Sequence, residues 1–278
     1  MELTTSAHAG RELMHVRGPR DVAPFTGGRG TMLFLRWYEG ELWIVGITDV
    51  DPRKWKGRYL SPRRATPGGM QKDWTPEGGD IETCIEAAMK EGLEEAGVMG
   101  IHASDVYPLT TVVKGVPGRD FKNDTETGSR MNAMYHVFVH WGDVALHETD
   151  DVDAKDPTWI RVKDVLSPTS EWYLLHVVLV AGSLKMLATD IERHLKGELS
   201  GRANQFFERM LRTNDAKANT AAAFEVQEFR EALRECLDAI EPLSVIEGFM
   251  EANPQRGRSP APENFLAGFQ FFPPPVVE

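Results

Sequence analysis

The stretch that most constrains this chain is residues 75–98, TPEGGDIETCIEAAMKEGLEEAGV. It opens with the turn formers Pro76, Gly78 and Gly79, then changes to a helical pattern. Thr83 followed three residues later by Glu86 is a capping box, in which two side chains satisfy backbone donors at a helix start. The helix is therefore expected to begin near Thr83. Gly97 is its natural stop, because glycine takes the left-handed cap conformation without a Cβ penalty. On a 3.6-residue period, Ile85, Ala88, Met89, Gly92, Leu93 and Ala96 form one stripe, expected to face a core. Glu91, Glu94 and Glu95 gather on the other side, since residues three and four apart are neighbours on a helix. Like charges so placed cost a helix roughly 0.2–0.5 kcal/mol per pair. A lone Glu-Glu pair reads as a solvated face. Three acids between a glycine loop and a terminal Gly fit a hard divalent cation, whose preferred ligands are carboxylate oxygens.

The flanking chain alternates strand-like and polar segments. Residues 31–38 and 42–48 read as a hairpin joined at Glu39-Gly40. Residues 49–73 read as an insertion rich in turn formers, carrying Arg53, Arg58, Arg63, Arg64 and Lys72. A basic cluster is usually a solvated loop. In a chain of net charge −11, positive charge just ahead of an acidic helix also fits docking of a phosphate or other anion. Residues 107–114 read as a strand, and 131–141 as the clearest one, buried on both faces. His136 and His140 share a face there, with no third ligand placed to complete a zinc set. An acid-rich connection follows at 147–156, then a short strand at 158–162. A helix is expected over 167–196, capped by Ser167, Thr169 or Ser170.

The order of residues 76–98 resembles the Nudix hydrolase signature. That signature is a Gly, five residues, Glu, seven residues, Arg-Glu, an aliphatic residue, any residue, Glu-Glu, any residue, Gly and an aliphatic residue. Glu82, Lys90-Glu91, Glu94-Glu95, Gly97 and Val98 match its second half in spacing. Lys90 stands in place of Arg, Gly92 in place of the aliphatic residue, and Pro76 where the first Gly belongs. The resemblance implies an α/β fold, an α/β/α sandwich around a mixed sheet at residues 31–196. It leaves 1–30 as an N-terminal extension, 197–252 as a C-terminal helical appendage and 253–278 as a Pro-rich tail. It implies a hydrolase that cleaves the pyrophosphate bond of a nucleoside diphosphate linked to another moiety, with Mg²⁺, or Mn²⁺ in its place, as cofactor. Glu91, Glu94 and Glu95 would hold the metal, with a carbonyl of Gly78 or Gly79. Glu82 would orient the loop, with Lys90 as its partner. The general base stays open among Glu94, Glu95 and the loop acids Asp120, Asp124, Glu126, Glu148 and Asp151. The substituted Lys90 and Gly92 and the altered loop favour a second reading, a sensor that holds a nucleotide without cutting it. Retention of all three carboxylates favours the enzyme.

Composition narrows the partners. Net charge argues against nucleic acid and anionic membrane surfaces. Two cysteines, Cys84 and Cys236, make no disulfide framework and point to a reducing, cytoplasmic setting. The N-terminus lacks an apolar leader pattern. The most apolar run, 172–188, reads as too short and too polar to span a bilayer. A base could stack on Trp37, Tyr38, Trp43 or Phe138. In the appendage, Ala221, Phe224, Phe229, Leu233, Leu237 and Ile240 form an apolar stripe that must be buried. A homodimer through this stripe is the expectation, with a lid over the substrate cleft as the competing arrangement.

Overall fold

Alternation along the strands decides the layering of this computed structural model, which describes residues 2–8, 11–17, 28–52, 61–70, 84–114, 133–212, 223–252 and 269–272. Strand β1 (Glu2–His8) pairs with β2 (Arg11–Arg17) in a separate antiparallel hairpin. It lies in the segment expected to be an N-terminal extension. The main sheet begins with β3 (Gly28–Tyr38) and β4 (Glu41–Asp49), joined at Glu39 and Gly40, both with positive φ. Strands β5 (Arg63–Ala65) and β6 (Gly68–Met70) follow, inside the segment expected to be an insertion loop. Their backbones close the sheet instead, β5 on β4 and β6 on the start of β3.

Helix α1 (Cys84–Ala96) is the acidic motif helix. A 3-10 turn at Ala103–Asp105 leads into β7 (Val106–Lys114), followed by β8 (Ala133–Trp141) and β9 (Ala154–Arg161). Then come α2 (Val162–Val165), α3 (Leu174–Leu195), α4 (Gly201–Arg212), α5 (Ala223–Asp238), α6 (Pro242–Ala252) and β10 (Phe269–Phe272). Among the described residues the main sheet has eight strands in the order β10-β7-β8-β3-β4-β5, with β6 also on β3 and β9 also on β4. It is mixed, because β3 runs parallel to β8 and antiparallel to β4 and β6. The segment expected to be a Pro-rich tail adds β10 to the edge of β7.

Side chains of a strand alternate between faces. Met32 and Phe34 of β3 join Val45, Ile47 and Phe138 in one core under α1, while Leu33 and Leu35 join the other core under α3. The arrangement is thus helix, mixed sheet, helix. Helix α3 starts seven residues later than the capping residues promised. Residues 167–173 turn back onto β5 instead, with the Arg64 N–H donating to the Glu171 carbonyl and the Tyr173 N–H to the Arg64 carbonyl. Tyr173 is the N-cap and gives no side-chain cap bond. By length and composition α3 could cross a membrane, but 72% of its apolar window is buried inside the protein, as befits a core helix.

The appendage packs on α3 as well. Phe229, Leu233, Leu237, Ile240 and Phe249 are buried in the α3-side core, and Trp37 meets Phe229 edge to face at 5.5 Å. The described part of the stripe is therefore covered within the chain, so its burial gives no argument for a dimer. It also lies on the sheet face opposite α1, so it is no lid over the motif helix.

Candidate functional site

The site is built where α1 crosses β3. The helix sits down on two glycines. A Cβ on Gly30 would lie 2.1 Å from the Cys84 carbonyl oxygen and 2.6 Å from the Ala88 nitrogen. On the helix side, a Cβ on Gly92 would lie 2.8 Å from Phe34 Cζ. Gly92 thus occupies its place because the Phe34 ring fills the space an aliphatic side chain would need. Ala87, Ala88, Gly92 and Ala96 are buried. Leu93, expected in the core stripe, is 47% exposed, because these small residues bring the helix backbone close to the sheet and turn position 93 outward. The C-terminus closes as expected. Gly97 has φ of 64° and donates its N–H to the Leu93 carbonyl at 3.0 Å, the left-handed capping bond.

This seating aims two of the three acids at β6. Glu95 Oε2 accepts the Gly68 N–H at 2.9 Å. Glu91 lies against Gly69 so closely that a Cβ there would be 2.0 Å from its Oε1. Both side chains are half-buried. Glu94 is exposed and pairs with Lys90 Nζ at 2.9 Å, one turn back. The acids expected as one triad therefore divide, two on a glycine backbone and one on a lysine. Among the described residues, no three or more His, Cys, Asp or Glu are gathered closely enough to hold an ion. In kind, the donors around Gly68 and Gly69 suit Mg²⁺, being carboxylate oxygens on a rigid helix beside a strand backbone.

Gly68 and Gly69 were missed by sequence reasoning, which set the glycine loop at Gly78 and Gly79. The Pro67-Gly68-Gly69 run was the available signal, since two glycines in succession admit a close approach that no side chain allows. Gly78, Gly79, Glu82, Arg53, Arg58 and Lys72 lie outside the described residues, as do Asp120, Asp124 and Glu126. Arg63 and Arg64, expected to dock an anion, lie on β5. There Arg63 Nη1 donates to the Ser170 carbonyl at 3.1 Å and Arg64 Nη1 to the Asp156 carbonyl at 3.4 Å. Asp151, a candidate base, accepts the N–H groups of Asp153 and Ala154 at 2.7 and 2.9 Å and so shapes its own turn. Glu148 is exposed in the same connection.

The histidines of β8 are held neutral. Burial lowers the His136 pKa to about 4. His140 is also lowered, chiefly by burial, with the Asp105 charge opposing. Of the aromatics considered for base stacking, Phe138 is core. Tyr38 and Trp43 surround Arg36, whose guanidinium lies 4.9 Å and 5.8 Å from their rings and 4.2 Å from Trp159.

No family model and no curated protein matches this chain. Solved structures do. The NUDIX domain of Shewanella oneidensis NrtR, complexed with ADP ribose, is 14% identical over 58% of this chain and 88% of its own, with TM-score 0.42. A second structure of Shewanella oneidensis NrtR is 12% identical over 74% of this chain and 77% of its own, with TM-score 0.43. A C. elegans Ap4A hydrolase is 14% identical over 58% of this chain and 98% of its own, with TM-score 0.37. Scores below 0.5 carry no argument by themselves. The architecture carries the fold assignment: a mixed sheet with the motif helix on one face and a closing helix on the other is the Nudix-like sandwich that the motif implies.

Proposed function

We propose that this chain is a metal-dependent hydrolase of the pyrophosphate bond in a nucleoside diphosphate linked to another moiety. The observation that carries the reading is the convergence of Glu91 and Glu95 on the backbone of Gly68 and Gly69. A solvated acidic face would splay its carboxylates into water. Here two are turned inward, and one is fixed by a charge-assisted hydrogen bond from a backbone N–H. Glu91 and Glu95, with Glu94 once released from Lys90, would hold Mg²⁺ or Mn²⁺. Bound there, the ion would supply charge neutralisation for a diphosphate and help activate water. The chain's own part is to fix the carboxylates on a buried helix and to keep side chains out of the approach at residues 68 and 69. Glu94 or Glu95 is the proposed base, and Arg53, Arg58 and Lys72 are the proposed anion dock, with Glu82 orienting the loop. The reducing cytoplasm is the proposed setting.

One observation favours a second reading, a nucleotide sensor without turnover. Glu94 is paired with Lys90, which lowers the negative charge offered to a cation. A single screen separates the two. The full chain is incubated with nucleotide sugars, dinucleoside polyphosphates, ADP-ribose, NAD(H) and nucleoside triphosphates, with Mg²⁺ and with Mn²⁺, and products are identified. Metal-dependent cleavage that falls by orders of magnitude in Glu95→Gln supports the enzyme. Saturable binding with no product under either metal supports the sensor and ends the hydrolase reading.

A further inference from the structure

The corner between β5 and β6 is held by both helical layers. From α1, Glu95 Oε2 accepts the Gly68 N–H at 2.9 Å, and Glu91 lies against Gly69. From the start of α3, the Glu171 carbonyl accepts the Arg64 N–H at 2.9 Å, and the Tyr173 N–H donates to the Arg64 carbonyl at 3.0 Å. One side chain of α3 reaches further along the corner. His176 Nδ1 accepts the Thr66 N–H at 3.2 Å, and Thr66 Oγ1 lies 2.9 Å from the same nitrogen. Between Thr66 and Gly68, the Pro67 carbonyl accepts the Met32 N–H of β3 at 3.0 Å.

The bond to His176 is one the corner needs. Thr66 is 1% exposed, and a buried backbone N–H must be paired. Pro67, next in the chain, has no N–H to donate in its place. A ring nitrogen that accepts an N–H carries no proton, so the proton of the neutral ring is on Nε2. The ring meets that of Tyr173, the N-cap of α3, with centroids 6.2 Å apart and planes tilted by 45°. The first turn of α3 thus aims Nδ1 at the corner. Gly68 and Gly69 have no side chains of their own to anchor them, so backbone bonds set their place. A displacement of about 1 Å would stretch the 2.9 Å bond from Gly68 to Glu95 out of hydrogen-bond range.

We propose that His176 is a positioning residue for the glutamate site. By accepting the Thr66 N–H it fixes the corner, so that the Gly68 N–H meets Glu95 and holds that carboxylate in place for a cation. The role in binding rests on Glu91 and Glu95 being metal ligands. Without an acceptor at His176, the buried Thr66 N–H turns toward another partner and carries Pro67 and Gly68 with it. Groups behind a metal ligand orient it, and losing one weakens binding by roughly 10–100-fold. His176 acts through Thr66 and Gly68, so its loss belongs at the lower end of that range.

The test measures binding of Mn²⁺ alone to the full chain, from the free-ion electron paramagnetic resonance signal. Leucine and asparagine have nearly the same shape, and asparagine Oδ1 sits as many bonds from the backbone as histidine Nδ1. His176→Leu should weaken Mn²⁺ binding about tenfold, and His176→Asn by no more than about twofold. The amide ¹⁵N–¹H resonance of Gly68 reads the intermediate step without metal. It should move in His176→Leu toward its position in Glu95→Gln, and stay in place in His176→Asn. Variants are compared where melting is cooperative, with His176→Ala as a second acceptor-free variant and the same loss expected. Equal Mn²⁺ affinity in the leucine and asparagine variants overturns the proposal, since the ring would then only pack. A Gly68 resonance unmoved in His176→Leu overturns it too. A wild-type chain that binds Mn²⁺ no better than Glu91→Gln with Glu95→Gln overturns the metal reading instead, and the Gly68 resonance still decides whether His176 fixes the corner.

Discussion

Two glycine-to-alanine substitutions, Gly30→Ala and Gly69→Ala, should have opposite consequences although each adds one methyl group. At Gly30 the new Cβ would meet backbone, 2.1 Å from the Cys84 oxygen and 2.6 Å from the Ala88 nitrogen. Backbone of a seated helix cannot rotate away. To restore ordinary contact, α1 must lift from β3 by about 1 Å, a gap that forfeits a quarter to a half of each dispersion well along the contact. Phe34 and Ala88 are fully buried in that contact, so the loss is not offset by solvent. Overpacking of a core costs about 1–3 kcal/mol, and this case belongs at about 3 kcal/mol because the clash is with backbone. At Gly69 the clash is with the end of a side chain, Glu91 Oε1 at 2.0 Å and Cδ at 2.3 Å. A half-buried Glu changes rotamer for about 0.5–1.5 kcal/mol. Stability should fall by about 1 kcal/mol, while the Glu91 carboxylate leaves its place.

Urea unfolding followed by tryptophan fluorescence measures both, with the slope unchanged if only stability moves. Metal-induced stabilisation, measured as the rise in melting temperature with Mg²⁺, reads the second effect, since only binding to the native state produces it. Gly30→Ala should lower its urea midpoint by the amount that a loss of about 3 kcal/mol sets at constant slope. Gly69→Ala should lower its midpoint by only about a third as much and lose the metal response. Equal losses of stability in the two variants would refute the argument, because Gly69 would then be fixed by the core and not by a carboxylate.

Other outcomes follow from the same geometry. Lys90→Ala removes an exposed ion pair and should change stability by less than about 0.5 kcal/mol, while enlarging the metal-induced rise in melting temperature by releasing Glu94; an unchanged metal response would show that Lys90 does not compete. His136 has a folded pKa near 4 against 6.5 unfolded, so its stabilising effect is complete above pH 6.5 and is lost as pH falls toward 4. The unfolding free energy from urea titrations should drop over that window by up to about 3 kcal/mol, at 1.36 kcal/mol per pKa unit, and the drop should flatten in His136→Phe. Leu233→Ala, at a fully buried position of α5, should cost about 2–5 kcal/mol in the isolated chain at any protein concentration; a cost that varies with concentration would instead reveal an interface between copies.

The motif helix was legible because its signals are local. The Thr83-to-Glu86 pattern in the sequence points to a start that the helix makes at Cys84, Gly97 takes φ of 64° at its end, and the three acids share spacing that only a helix turns into neighbours. What could not be read was the direction of approach. Leu93 and Ala88 are equal members of a 3.6-residue stripe, yet one is exposed and the other buried, because Gly30 and Gly92 allow the helix to come down on its small-residue side. The strands β5 and β6 were hidden for a related reason. Each has three residues, too few for alternation to show, and their pairing depends on partners far along the chain.

The appendage shows the same limit from the other side. Its stripe was visible, and its described members, Phe229, Leu233, Leu237 and Ile240, are buried as such a stripe must be. The rule is silent on the partner. Helix α3 settles that within the chain, because its buried residues occur on nearly every turn and on more than the face turned to the sheet, from Leu174 and Val177 through Val180, Ala181 and Leu184 to Ile191. A helix apolar over so much of its circumference needs cover on both sides. The sheet covers one, and Phe207, Leu233, Leu237 and Phe249 cover the other. The most apolar run of the chain and the stripe expected to form an interface thus cover each other. The helices after residue 196 are then part of the fold's second layer, and removing them would expose the apolar side of α3 rather than free a catalytic domain.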